Sequence, residues 1–163
     1  MPKVWALNSS SSESAMSTPA EPHFQMRLEG NLSQLTQMNT HIQSWGEQLH
    51  WTQTDIYRTQ FVLEEMFVNS ITHGSVKGKS MWASFSLKQK PQGLEIEWRD
   101  NGIAFNPLLA PCADPQLGLD ERQPVGWGVT MVRRMGQDAF YERQNIGHED
   151  INCLRWFQPW SLS

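Results

Sequence analysis

The 163-residue sequence predicts an α/β two-layer sandwich, a mixed and mostly antiparallel sheet with helices packed on one face. Two kinds of periodicity point there. Short stretches alternate apolar and polar residues, the pattern of a strand with one covered side. Longer stretches space apolar residues three and four apart, the pattern of a helix lying on a core. The eight Trp and seven Phe supply the apolar bulk for one domain with a core of its own.

Residues 1–22 read as a tail, because the Ser-rich run from Asn8 to Pro19 is polar and without period. The domain is expected over 23–157, followed by a short C-terminal tail at 158–163. Phe24 to Leu28 alternates as a first strand. Asn31, with Gln34 three residues on, resembles a capping box for a helix carrying Leu32, Leu35, Met38, Ile42, Trp45 and Leu49. Thr52 or Thr54 can cap a second helix that runs to about His73 and stops at Gly74. Met81 to Lys88 and Leu94 to Arg99 alternate around the turn residues Lys90-Pro91-Gln92-Gly93, giving a hairpin. After a long irregular loop with Pro at 107, 111, 115 and 124, Gly126-Trp127-Gly128 opens a third helix. That helix carries Val129, Val132 and Met135. Ala139 to Arg143 and Ile151 to Phe157 form a closing pair of strands around Asn145, Gly147 and His148.

Composition narrows the function classes. A net charge of −4 with no Lys/Arg run argues against nucleic acid and anionic membrane as partners. Cys112 and Cys153 form neither a metal-binding spacing nor a disulfide framework. No stretch is long and apolar enough for a membrane span, and the N-terminus lacks a secretion signal's apolar core. A cytoplasmic protein with reduced thiols is expected.

The second helix carries the chemistry. Leu63, Phe67 and Ile71 stack on one side, with Ile56 in line. Glu65, Asn69 and His73 share a second stripe roughly opposite, flanked by apolar Phe61, Val62, Met66 and Val68. Taken alone, this stripe reads as an ordinary solvated face; a helix this apolar is usually covered on more than one side, and the alternative is that the stripe faces an enclosed site. Carboxylate, amide and imidazole in one row can hold a metal ion, a phosphate or a water. His73 can contact phosphate or can finish the helix, where it interacts well with the dipole. Asp100 keeps step with Leu94, Ile96 and Trp98, which puts its carboxylate on the buried side where the strand ends. Such a carboxylate needs donors. The glycines of Gly126-Trp127-Gly128 let backbone N–H groups approach an anion at a helix start.

Glu65-x-x-x-Asn69, Asp100-Asn-Gly102-Ile-Ala104 and Gly126-Trp-Gly128, in that order, resemble the ATP-binding boxes of the GHKL superfamily. The chain looks most like the small bacterial anti-sigma factor serine kinases, over roughly residues 23–157. Finer matches are Asn69-x-x-x-His73-Gly74, the run from Asp100 to Leu108, Gly126 to Met135 with Arg133 and Arg134, and the closing Tyr141-Glu-Arg and Asn152-Cys-Leu. The resemblance implies a Bergerat-type ATP-binding fold and the cofactors ATP and Mg²⁺. It implies that Asp100 accepts the adenine amino group, with Gly102, Ala104 and Phe105 beside the base. Asn69 would coordinate magnesium, and Glu65 would take the proton from the attacking hydroxyl in preference to its neighbour Glu64. Gly126, Trp127, Gly128, Val129 and Thr130 would line the phosphates, with His73 near them.

Departures from the family pattern are Ala104 where many relatives carry Gly, the bulk of Trp127, and an expected ATP lid (107–125) with few polar residues. Arg122, Arg133 and Arg134 read as surface or partner-facing charges rather than phosphate ligands. By the same resemblance the partner is a small STAS-type anti-sigma factor antagonist, phosphorylated on Ser or Thr, and a sigma factor or other regulator. A homodimer is also implied. The alternatives are a partner-binding module of the same fold without kinase activity, and the ATPase subunit of a split histidine kinase.

Overall fold

In the computed structural model the described residues are 20–109 and 127–162, the side chain of Trp127 excepted. The elements follow in the order β1 (His23–Glu29), α1 (Gln34–Gln48), α2 (Gln53–Gly74), β2 (Trp82–Lys90), β3 (Gly93–Asp100), a 3-10 turn (Pro107–Leu109), α3 (Trp127–Met135), β4 (Gln137–Ile146) and β5 (Glu149–Pro159). The strands form one five-stranded sheet in the order β1-β2-β3-β5-β4. Every pairing among the described residues is antiparallel, so the expected mixed sheet is in fact uniform in sense. The last strand enters between β3 and β4. That makes β5 an interior strand beside the central β3, and it is buried along its inner side.

Strand alternation sets the inner face. Ala83, Phe85 and Leu87 of β2 face the same way as Leu94, Ile96 and Trp98 of β3, with Phe85 opposite Trp98 and Leu87 opposite Ile96. On β5, Leu154 and Trp156 continue those rows. The row at the sheet's end changes character, running Leu28, Ala83, Asp100, Asn152 and Arg143 across all five strands. Apolar rows fill the core, and this last one turns polar from β3 onward, at Asp100, Asn152 and Arg143.

α2 lies on that face with Ile56, Leu63 and Phe67 fully buried, each worth about 2 kcal/mol by area removed from water. Phe67 meets Trp98 edge-on at 6.5 Å. α1 packs along one flank of α2 through Met38 and Ile42, and α3 along the other through Val129 and Val132. The expected cover on more than one side is therefore present, although Phe61 stays 40% exposed. Met135, at the end of the third helix, is also exposed.

Helix starts are set locally. Thr52 caps α2, its Oγ1 accepting from the Asp55 N–H at 3.1 Å. Asn31 does not cap α1: its Oδ1 accepts from the Ser33 N–H at 2.9 Å, a local side-chain turn, and the helix begins at Gln34. Gln34 reaches back to the Glu29 N–H at 2.8 Å, so the reciprocal bonding expected of a capping box serves the strand end instead.

Described contacts reach past both expected boundaries. Glu21 pairs with Lys88 and Lys90, and the Pro22 carbonyl accepts from the Gln89 N–H. The tail expected at the N-terminus otherwise lies outside the described residues. At the other end Trp160 packs against Trp51, and Ser161 donates to Asp55 through both its N–H (2.8 Å) and its hydroxyl (3.0 Å). Buried Asp55 also accepts from Arg58 at 3.1 Å, and Arg58 reaches the Pro159 carbonyl at 3.2 Å. Residues 158–161 are thus a latch rather than a loose tail. Asp55→Ala leaves the half-buried Arg58 cation without its carboxylate and releases Ser161. Urea unfolding is expected to show a loss of about 3–5 kcal/mol.

Candidate functional site

Asp100 sits where β3 ends, 7% exposed, and collects donors from four places. Ser70 Oγ of α2 donates to its Oδ2 at 2.9 Å, and Trp98 Nε1 to the same oxygen at 3.0 Å. The Gly102 N–H donates to Oδ1 at 3.0 Å, and Asn152 Nδ2 of β5 does so at 2.8 Å. The buried position expected from strand parity is what the structure has, and the desolvation of the carboxylate is offset by these bonds.

Asn152 ties this carboxylate to the chain around it. Its Nδ2 also donates to the Ile103 carbonyl at 2.8 Å. Its Oδ1 accepts from the Tyr141 hydroxyl at 2.7 Å, from Arg143 at 2.8 Å and from the Phe105 N–H at 3.4 Å. Arg143 reaches on to the Gly102 carbonyl at 2.9 Å. The segment from Gly102 to Phe105 is therefore strapped from beneath by β4 and β5, while Ala104 and Phe105 remain exposed above it. Burial pushes the Tyr141 hydroxyl above its ordinary value, and the Arg143 charge pulls part of the way back. Tyr141 stays a neutral donor through the physiological range.

The end of α2 presses on the same segment. The Ile103 N–H donates to the Gly74 carbonyl at 2.9 Å. A Cβ on Gly102 would come within 2.8 Å of that carbonyl oxygen and 3.0 Å of Asp100 Oδ1, so no side chain fits at 102. His73 is exposed in the last turn of α2, the position of a residue that finishes the helix.

Farther back on α2, Glu65 faces α3. The Gly128 N–H, at the start of α3, donates to the Glu65 carboxylate. A Cβ on Gly128 would lie 2.3 Å from Glu65 Cβ, so the two helices can meet here only at glycine. Burial pushes the Glu65 carboxyl above the usual glutamate range, the Gly128 N–H pulls part of the way back, and the neighbouring Glu64 adds to the rise. Glu64 itself turns to α1, where it accepts from Asn39. Of the two acids, Glu65 is the one presented to α3.

Asn69 stands one helix turn beyond Glu65 and one residue before the Ser70 that touches Asp100. Its Oδ1 is buried with no hydrogen-bond partner among the described residues. Two other buried atoms share that condition, Asn39 Oδ1 and Arg58 Nε, but each belongs to a side chain already engaged elsewhere. An unengaged amide oxygen beside a carboxylate suits a hard cation that keeps most of its waters. The residues present fit magnesium in this respect.

Val129 and Thr130 are buried in the first turn of α3, while Arg133 and Arg134 are exposed in its last turn, away from the glycine end. Gly126, Arg122, Cys112 and the lid expected over 107–125 lie outside the described residues from 110 onward, as does the indole of Trp127. Two groups of described residues therefore converge along α2. One is Glu65 with Gly128, and the other is Ser70, Asp100, Gly102 and Asn152, with Asn69 between them.

Ser70, Asn152, Tyr141 and Arg143 were not singled out as site residues. Signals for two of them exist in the chain. Ser70 interrupts the apolar row of Leu63, Met66 and Phe67, and Asn152 stands at an inward strand position with Leu154 and Trp156.

Residues 28–155 match the family model of the histidine kinase-like ATPase domain. A stretch of 101 residues is 25% identical to a serine/threonine-protein kinase, BtrW, of Bordetella bronchiseptica, covering 62% of this chain and 67% of that protein. The match spans most of the chain and includes α2, the β3 end and α3, the elements on which the site is built. The chain belongs to the histidine kinase-like ATPase domain family.

Proposed function

We propose that this domain binds ATP with magnesium at the site bordered by α2, the end of β3 and the start of α3, and transfers phosphate to a serine or threonine of a small protein partner. The observation that carries the reading is the orphaned Asn69 Oδ1, one turn from a carboxylate that meets the Gly128 N–H at the start of α3. That row offers a cation ligand, a proton acceptor and an anion-binding helix start side by side. The serine/threonine kinase named among its relatives supports a hydroxyl as acceptor. An anti-sigma factor antagonist of the STAS type as that partner, a sigma factor or other regulator as the protein released, a homodimeric state and a cytoplasmic setting complete the proposal. Among the described residues no helix is long and apolar enough to cross a membrane.

The chemistry asked of the protein is modest. Magnesium-ATP supplies the transferable phosphoryl group and much of the charge neutralisation. Asp100 would orient the base, Asn69 would hold the metal, and the phosphates would lie at the start of α3, beside the Gly128 N–H that Glu65 holds. Glu65 takes the hydroxyl proton of the acceptor. A carboxyl held above its ordinary range is better matched to that proton transfer near neutral pH.

A partner-binding module that transfers no phosphate is the second reading. It is favoured by the saturation of Asp100, whose four donors leave no free position for an adenine amine.

Three measurements test the proposal. Isothermal titration with magnesium-ATP is expected to give binding of roughly micromolar strength or weaker, about 8 kcal/mol or less. Asp100→Asn should weaken it at least tenfold. Glu65→Ala should abolish phosphate transfer to the partner while ATP binding persists; transfer that survives would rule out Glu65 as the base. The pH profile supplies the third. A base must be deprotonated, and the Glu65 carboxyl is raised, so the rate should climb with pH through an acid limb above the ordinary glutamate value. Glu65→Gln should abolish transfer likewise, and any residual rate should show no such limb.

A further inference from the structure

A carboxylate offers about four lone-pair positions. At Asp100 all four are taken by described neighbours. An exocyclic amine can be read by this group only if one resident donor withdraws. The four donors differ in how freely they can do so.

Trp98 is fixed in the core at 1% exposure, and its indole cannot turn without moving Phe67. Gly102 donates from the backbone, in a turn held by Gly74 and Arg143. Asn152 is engaged at both ends of its amide, and rotating it would release Ile103, Tyr141 and Arg143 together. Ser70 is different. Its hydroxyl makes one described bond, on a short side chain that can rotate. A helical serine or threonine can donate instead to the carbonyl four residues before it. The same helix shows that bond near both ends: Thr59 Oγ1 donates to the Asp55 carbonyl at 2.8 Å, and Ser75 Oγ at its C-terminal cap to the Ile71 carbonyl at 2.7 Å. For Ser70 the equivalent acceptor is the carbonyl of Met66.

We propose that Ser70 is a specificity-determining residue, its hydroxyl occupying on Asp100 Oδ2 the place that the exocyclic amine of adenine takes when the base binds. The inference rests on the ATP reading and deepens it. Ser70 keeps the buried carboxylate satisfied until the base arrives, and then swings back to the helix. The base amine thus competes with an internal donor. Affinity is lowered by the cost of displacing it, and the saturation of Asp100 becomes compatible with nucleotide binding.

The test is isothermal titration of the wild-type chain, Ser70→Ala and Ser70→Cys, each with magnesium-ATP and with the magnesium complex of purine riboside triphosphate, which lacks the amine. Removing the hydroxyl opens a lone pair on Asp100, so Ser70→Ala should bind ATP about tenfold tighter, the size expected for one hydrogen bond to a charged group. The affinity for purine riboside triphosphate should stay unchanged. Ser70→Cys, whose thiol is a weak donor, should fall between wild type and alanine; it also carries the test if the alanine variant does not fold. ATP affinity unchanged or lowered in the variants, against measurable ATP binding by the wild type, would overturn the role of Ser70 and leave the ATP reading standing. Equal tightening toward both triphosphates would overturn it as well, because the amine would not then be the competitor. Wild type and variants that bind neither triphosphate would remove the ATP reading, and the role of Ser70 with it.

Discussion

The carboxylate of Asp100 is where the architecture is joined. Its donors come from α2, from its own strand, from the turn that follows and from β5. A helix, two central strands and a loop are thereby fixed to one buried group that is too costly to leave unsatisfied. The polar row across the sheet's end extends that junction to β4 through Asn152 and Arg143. The apolar rows behind it hold the layers together. This row sets the position of the segment 102–105 relative to α2.

That arrangement divides α2 by function along its length. Its N-terminal half is an anchor, with Thr52 capping, Asp55 and Arg58 latching the C-terminal residues, and Gln158 donating to Thr59 at 3.0 Å. Its C-terminal half is where Glu65, Asn69, Ser70 and Gly74 meet α3 and the β3 end. A rigid element carrying both parts holds the second in place by means of the first. Glycine at 128 and at 102 allows the two closest approaches, one to each end of the polar stripe.

Much of this was legible in the chain because it is governed by local periodicity. The inward position of Asp100 follows from alternation along a single strand, and the extent of α2 follows, to within two residues at its start, from Thr52 or Thr54 and from Gly74 with an apolar stripe between them. What escaped depends on partners distant in sequence. Ser70 and Asp100 are 30 residues apart, Asp100 and Asn152 are 52, and Asp55 and Ser161 are 106. Periodicity tells which side of an element is covered but not which side chain waits opposite. The placement of β5 between β3 and β4 is of the same kind, since adjacent strands joined by a tight turn only indicate that the two pair. Asn31 failed for a different reason. A short amide side chain can satisfy a helix start or a local turn, and the sequence does not distinguish the two.

The indole of Trp98 adds a last consequence. Its N–H is bound to the very oxygen of Asp100 that also receives Ser70, and its ring is sealed in the core against Phe67. Electric-field changes at that oxygen therefore reach a fluorophore shielded from solvent, whose emission colour tracks the charge and dipoles at its nitrogen. The domain carries, in its own interior, an optical gauge of what happens at the carboxylate.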